Sequence, residues 1–151
     1  MDLSISVEQK ILSESVARFI SNDYLFENRM QIAESNEYFS KEYWKTYAEL
    51  GWTAVPFSEE DGGLDGGPVE IMLMMKEFGR GLVIEPFLAN IILAGGILKR
   101  CASKEQKEKW LTKIIEGNLQ AALAFNEKQS GFNIANISTT AKKENGNFVL
   151  N

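Results

Sequence analysis

The chain contains no histidine. Ser-His-Asp and Cys-His catalysis are therefore excluded within it, and so is every metal site built on imidazole. A single cysteine, Cys101, leaves no internal disulfide and no thiolate cluster. The cations Lys99 and Arg100 just before it would lower a thiol pKa, but a plain structural thiol is the simpler reading. Positive charge is also in the minority. Sixteen Lys and Arg stand against 21 Asp and Glu, for a net charge of −5. Phosphate backbones need a basic face, so nucleic acid is not an expected partner. The most basic stretch, 99–113, is interleaved with Glu105 and Glu108 and reads as a solvated helix face. No apolar run reaches the ~20 residues of a membrane span; the longest, 87–98, is interrupted by Asn90, Gly95 and Gly96. Residues 1–24 lack the basic start and unbroken apolar run of a signal peptide, so a cytoplasmic location is expected.

What remains is the composition of a globular protein, with 44% apolar and 25% charged residues over 151 positions. That length suits one domain and the start of a second. Ser6 and Gln9 have the spacing of a capping box, and Leu12, Val16, Phe19 and Ile20 follow at helical intervals, which predicts a helix over 7–21. A weaker pattern covers 24–34. Ser40 caps a third helix carrying Tyr43, Trp44, Tyr47 and Leu50 on or near one face, and Gly51 stops it. Pro68 opens a fourth, with Ile71, Met74, Met75 and Phe78 as a core stripe. A fifth, after Glu85-Pro86, is apolar nearly all round and should be buried; Asn90, Gly95 and Gly96 within it suggest close approach by another helix or a ligand. A second capping box, Ser103 and Gln106, starts a sixth helix with Trp110, Leu111, Ile114 and Ile115, ended by Gly117.

The glycine-rich loop 58–67 invites a phosphate reading, which its chemistry opposes. No lysine follows the glycines, and Glu59, Glu60, Asp61 and Asp65 would repel a phosphate. Those carboxylates also lack the alternating spacing of a calcium loop, so no metal site is expected. The paired glycines are read as turn formers.

Helical spacing ends at Gly117. Residues 119–125 read as a strand, 137–143 as another, and Asn145-Gly146 as a type I′ turn returning through Phe148 to Leu150. The stretch 119–134 has two readings: an ordinary first strand with its turn, or an apolar segment running into a kinked polar loop that presents a ligand site. A lone hairpin is barely stable, so the sheet is expected to be incomplete and the chain a fragment of something longer. The expected organisation is a helical domain over 1–118 and an incomplete β domain over 119–151. The fold class is mainly α: a bundle of about six helices followed by the first strands of a β domain.

Taken in order, several local patterns resemble the N-terminal part of the acyl-CoA dehydrogenase family. They are Tyr47-Ala48-Glu49-Leu50-Gly51-Trp52-Thr53-Ala54-Val55-Pro56 with Glu60-Asp61-Gly62-Gly63; Glu77-Phe78-Gly79-Arg80-Gly81; and Ser103-Lys104-Glu105-Gln106-Lys107 leading to Leu111 and Gly117-Asn118. Pro68-Val69-Glu70 and Leu82-Val83-Ile84-Glu85-Pro86 carry a finer likeness to the small subunits of pimeloyl-CoA-dehydrogenase-like enzymes. The resemblance implies a subunit of helical domain, middle β domain and C-terminal bundle, with FAD held between them and a neighbouring subunit. It also implies α,β-dehydrogenation of an acyl-CoA thioester, with hydride passing to the flavin. The family's catalytic glutamate lies in the C-terminal bundle, and no position here corresponds to it.

The family's first β-domain loop reads Thr-Glu-Pro, a variable residue, then Ala-Gly-Ser-Asp. Here Asn126 stands at the threonine and Glu127 at the glutamate. Lys128 replaces the proline, Ser130 the alanine, Phe132 the serine and Asn133 the aspartate; Gly131 matches. The resemblance makes Phe125, Asn126, Gly131 and Phe132 the candidate cofactor-binding residues. Phe125 would lie along the flavin ring, Asn126 would hydrogen-bond it, and Gly131 would let backbone approach. The hydroxyl that reaches the cofactor phosphates is lost at Phe132. Two functions follow: part of an FAD-dependent dehydrogenase subunit acting on acyl-CoA, or a degenerate, non-catalytic subunit that completes a heteromeric enzyme. Both imply a homo- or hetero-oligomer of acyl-CoA dehydrogenase subunits.

Overall fold

A computed structural model describes residues 4–151. Six helical elements lead into one hairpin. They are α1 (Val7–Asn22), α2 (Phe26–Glu34), α3 (Lys41–Glu49), α4 (Pro68–Arg80), α5 (87–101) and α6 (104–115). Helix α5 begins as a π-helical stretch, Phe87–Gly95, and continues as the α-helix Gly96–Cys101. Helix α6 has a similar π-helical insert at Lys107–Leu111. Strands β1 (Ala141–Glu144) and β2 (Asn147–Leu150) form an antiparallel pair.

Local chemistry sets most boundaries. Ser6 Oγ accepts from Gln9 N at 3.2 Å while Gln9 Oε1 accepts from Ser6 N at 2.9 Å, the reciprocal capping box. Ser103 and Gln106 repeat it at 3.3 and 2.9 Å. Ser40 Oγ accepts from Tyr43 N at 3.1 Å. Gly51 and Gly117 end α3 and α6 at φ +75° and +74°. Asn145 and Gly146 both have positive φ, 51° and 84°, as a type I′ turn requires.

Helix α1 lies along α4. At one end Gln9 Nε2 donates to Glu70 Oε1 at 2.7 Å, and that bond is the first cause holding the Glu70 carboxyl below its usual pKa. At the other end Arg80 bonds the buried Glu77 carboxylate at 2.8 Å and reaches the Ala17 carbonyl of α1 at 3.2 Å. Between them sits an aromatic core. Phe19 meets Tyr43, Tyr47 and Trp52 edge-on at 5.3–5.5 Å, and Tyr47 stacks on Phe78 at 5.4 Å. Each such buried ring adds about 1.5–3 kcal/mol of transfer free energy.

Residues 52–57 form no strand. They run through successive turns with every residue buried. The glycine-rich loop folds back over them: Asp65 N and Gly66 N donate to Phe57 O and Val55 O, each at 2.7 Å. Gly63 and Gly66 are glycines because a Cβ at either would overlap that backbone. Asp61 of the same loop is held by Ser58 Oγ at 2.9 Å and Lys107 Nζ at 3.1 Å. No cluster of metal-ligating side chains occurs among the described residues.

Four expectations need correction. Leu50, Leu88 and Ile97 are exposed, so the apolar faces of α3 and α5 are narrower than their composition suggests. Residues 119–125 are extended without being a strand, since no neighbouring chain pairs with them among the described residues. The first strand starts at Ala141 rather than at residue 137. At α5 the neighbour is not another helix: a Cβ on Gly95 would stand 2.6 Å from Cζ of Phe57 in the turns of 52–57, and one on Gly96 would meet nothing within 4 Å. No helix among the described residues is long and apolar enough to cross a membrane.

Candidate functional site

The segment that leaves α6 is fastened to α5 by one side chain. Asn90 is fully buried. Its Nδ2 donates to Leu119 O at 3.1 Å and to Gln120 Oε1 at 2.9 Å, and its Oδ1 accepts from Ala121 N at 3.0 Å. The carboxamide thus takes the place of a neighbouring strand, offering a donor and an acceptor to an extended backbone. Leu119 and Ala121 pack on the core beside it. Beyond Ala121, the backbone N–H groups of 122–126 make no hydrogen bond among the described residues.

The chain is gathered again at Glu127. Its carboxylate accepts from Ser138 N and Ser138 Oγ, each at 2.8 Å, from Thr139 N at 3.2 Å, and from Gln129 Nε2. Hydrogen bonding, from the Thr139 side chain first and the Ser138 N–H next, holds its carboxyl well below the usual carboxylate range. Ser130 is buried inside the turn, donating its hydroxyl to Glu127 O at 2.7 Å. Asn136 Nδ2 closes the loop on Gln129 O at 3.2 Å. The result is a loop over 127–139 held by hydrogen bonds among its own residues.

The four candidate residues lie on the outer side of this arrangement. Phe125 is 42% exposed and Phe132 fully so, at 108%. Asn126 is exposed, and no hydrogen bond engages its side chain among the described residues. Gly131 has φ +51° and nothing within 4 Å of a Cβ position, so its backbone is open to an approaching ligand. Sequence reasoning missed the residues that shape the loop: Glu127 as hub, with Gln129, Ser130 and Ser138 around it. Only the Glu127-to-Ser130 spacing carried a local signal.

Two aromatic faces and one unengaged carboxamide fit a flat, partly polar ring system such as an isoalloxazine. They do not fit the pyrophosphate of FAD, because the Phe132 side chain offers neither donor nor charge.

The acyl-CoA dehydrogenase N-terminal domain family matches this chain over residues 6–118. The chain belongs to that family. Relatives agree. It is 32% identical to mitochondrial isovaleryl-CoA dehydrogenase of Pongo abelii over 150 residues, which are 97% of this chain and 35% of that protein. It is 30% identical to the L-prolyl-[peptidyl-carrier protein] dehydrogenase of Serratia sp., covering all of this chain and 40% of that protein. Among solved structures, the FAD complex of PigA superposes with a TM-score of 0.80 at 32% identity, over 99% of this chain and 40% of the other. The ChsE4-ChsE5 complex from Mycobacterium tuberculosis shares the fold, with a TM-score of 0.83 at 24% identity, over 100% and 38%. The chain spans about a third of the length of these first curated relatives. Within the family's helical domain, Gly63 and Gly66 of the glycine-rich loop are explained by packing on Phe57 and Val55.

Proposed function

We propose that this chain forms the helical wall and the first flavin-facing loop of an FAD-dependent acyl-CoA dehydrogenase-type subunit. The observation that carries this reading is the pair Phe125–Asn126. One is an exposed aromatic and the other an unengaged carboxamide, set between the Asn90 fastening and the Glu127 hub. Bound FAD would accept the β-hydride of an acyl-CoA thioester, and the α-proton would go to a base outside residues 1–151. The chain's own part is positional. Phe125 offers an apolar face to the ring, Asn126 a donor and an acceptor to its polar edge, and Gly131 an uncrowded backbone. The segment from residue 119 onward would open the middle β domain.

A second reading is favoured by Phe132. Its fully exposed ring occupies the position of the family's phosphate-reaching serine. In this reading the subunit completes the site of a partner acyl-CoA dehydrogenase subunit and performs no turnover itself. Anaerobic addition of acyl-CoA thioesters to the complete gene product distinguishes the two. Bleaching of its own flavin band supports the dehydrogenase. A flavin that stays oxidised, or bleaches only in the presence of a partner subunit, supports the completing role.

A further inference from the structure

We infer that Asn90 is a positioning residue for the flavin-facing segment, acting from inside the helical domain. The inference rests on the reading that Phe125 and Asn126 face flavin, and adds to it the part that sets their place. Three observations converge. The Asn90 side chain is fully buried, yet its side-chain bonds among the described residues run to Leu119, Gln120 and Ala121 rather than to its own helix. It sits in the π-helical stretch Phe87–Gly95, an irregular winding that turns side chains away from the ordinary helical register. The segment it holds has no strand partner among the described residues, so the carboxamide is the main polar restraint upstream of the loop.

The geometry gives the restraint leverage. Three residues separate Ala121 from Phe125, a reach of up to about 13 Å. Over that reach the backbone N–H groups make no hydrogen bond among the described residues. The downstream hub at Glu127 fixes the loop's own shape but ties it to Ser138 and Thr139, not to the helices. Asn90 therefore joins two parts that are otherwise linked by chain connectivity, the Leu119 N–H bond to Lys113 O at 3.1 Å and the packing of Leu119 and Ala121. Loss of its bonds would leave both parts folded while freeing their relative placement.

The test uses the complete gene product, with its partner subunit if flavin loading needs one. Asn90→Ala removes all three bonds. Gln120→Ala removes one of them from an exposed residue and leaves the core intact, so it reports even if the first variant folds poorly. Two readouts are taken: hydrogen exchange at the Ala121 amide, and the affinity and absorption envelope of bound FAD. Ala121 exchange should rise by about tenfold or more in Asn90→Ala, with far-UV circular dichroism unchanged. FAD should bind about tenfold more weakly with a shifted band, and Gln120→Ala should show a smaller change in the same direction. Unchanged Ala121 exchange in a folded Asn90→Ala protein overturns the inference. So does faster exchange with flavin affinity and spectrum intact. If the wild-type protein takes up no flavin with or without a partner, the functional reading has failed instead, and Ala121 exchange alone then decides whether Asn90 holds the segment.

Discussion

The carboxylate of Glu127 accepts both the backbone N–H and the hydroxyl of Ser138, each at 2.8 Å, across eleven residues of chain. With Thr139 N and Gln129 Nε2 also donating to it, one ionised group organises the whole loop. Its pKa is lowered from 4.5. The native loop therefore binds the anion in preference to the acid. Its contribution is fully present above 4.5, declines as pH falls below that value, and is lost once pH passes the lowered folded-state value. The Ser138 amide resonance should stay constant from neutral pH down through 4.5 and move only in stronger acid. Glu127→Gln should shift it at every pH, since an amide accepts fewer of these bonds.

The glycine-rich loop yields a contrast between neighbours. A Cβ on Gly63 would stand 2.2 Å from Phe57 O, whereas one on Gly62 meets nothing within 4 Å and only the strain of φ +86°. Gly63→Ala should cost about 3 kcal/mol or more, because backbone must move. Gly62→Ala should cost about 1–2 kcal/mol, the left-handed penalty alone. Urea denaturation of the two variants measures the difference.

Buried hydroxyls in the core should answer oppositely to removal. Thr53 is fully buried and donates to Ile115 O at 2.6 Å, joining 52–57 to α6. Thr53→Val keeps the shape and leaves that carbonyl short of a donor, at a cost of about 1–3 kcal/mol. Tyr47 is equally buried, but its hydroxyl has no partner among the described residues. Burial, then the charge of Glu85, pushes its pKa up, so the hydroxyl stays neutral and contributes little. Tyr47→Phe should be neutral or stabilising by up to about 1 kcal/mol. Thermal denaturation of the pair should show Tm shifts of opposite sign or of clearly different size.

Features set by adjacent residues were legible in the sequence. The capping boxes at Ser6 and Ser103, the stops at Gly51 and Gly117 and the Asn145-Gly146 turn each depend on a few neighbouring positions. Features set across the chain were not. The apolar run 119–125 looks like a strand, but strand pairing is a property of two segments, and here the partner is the side chain of Asn90. The glycines of 62–67 were read as turn formers, while Gly63 and Gly66 owe their identity to the backbone of Phe57 and Val55. The candidate site shows the same division. The family pattern pointed to Asn126, Gly131 and Phe132. The Glu127-to-Ser130 spacing was the one local signal; the bonds that make Glu127 a hub run to Ser138 and Thr139, eleven and twelve residues away.

The central claim is that the loop bearing Phe125, Asn126 and Gly131 faces flavin. An absorption spectrum of the complete gene product tests it most directly, taken first on the protein purified alone and then on the protein co-purified with a neighbouring acyl-CoA dehydrogenase subunit. A flavin band near ~450 nm in at least one preparation, weakened by Asn126→Ala, is the predicted result. A colourless protein in both would contradict the account and leave the family's fold without its cofactor chemistry.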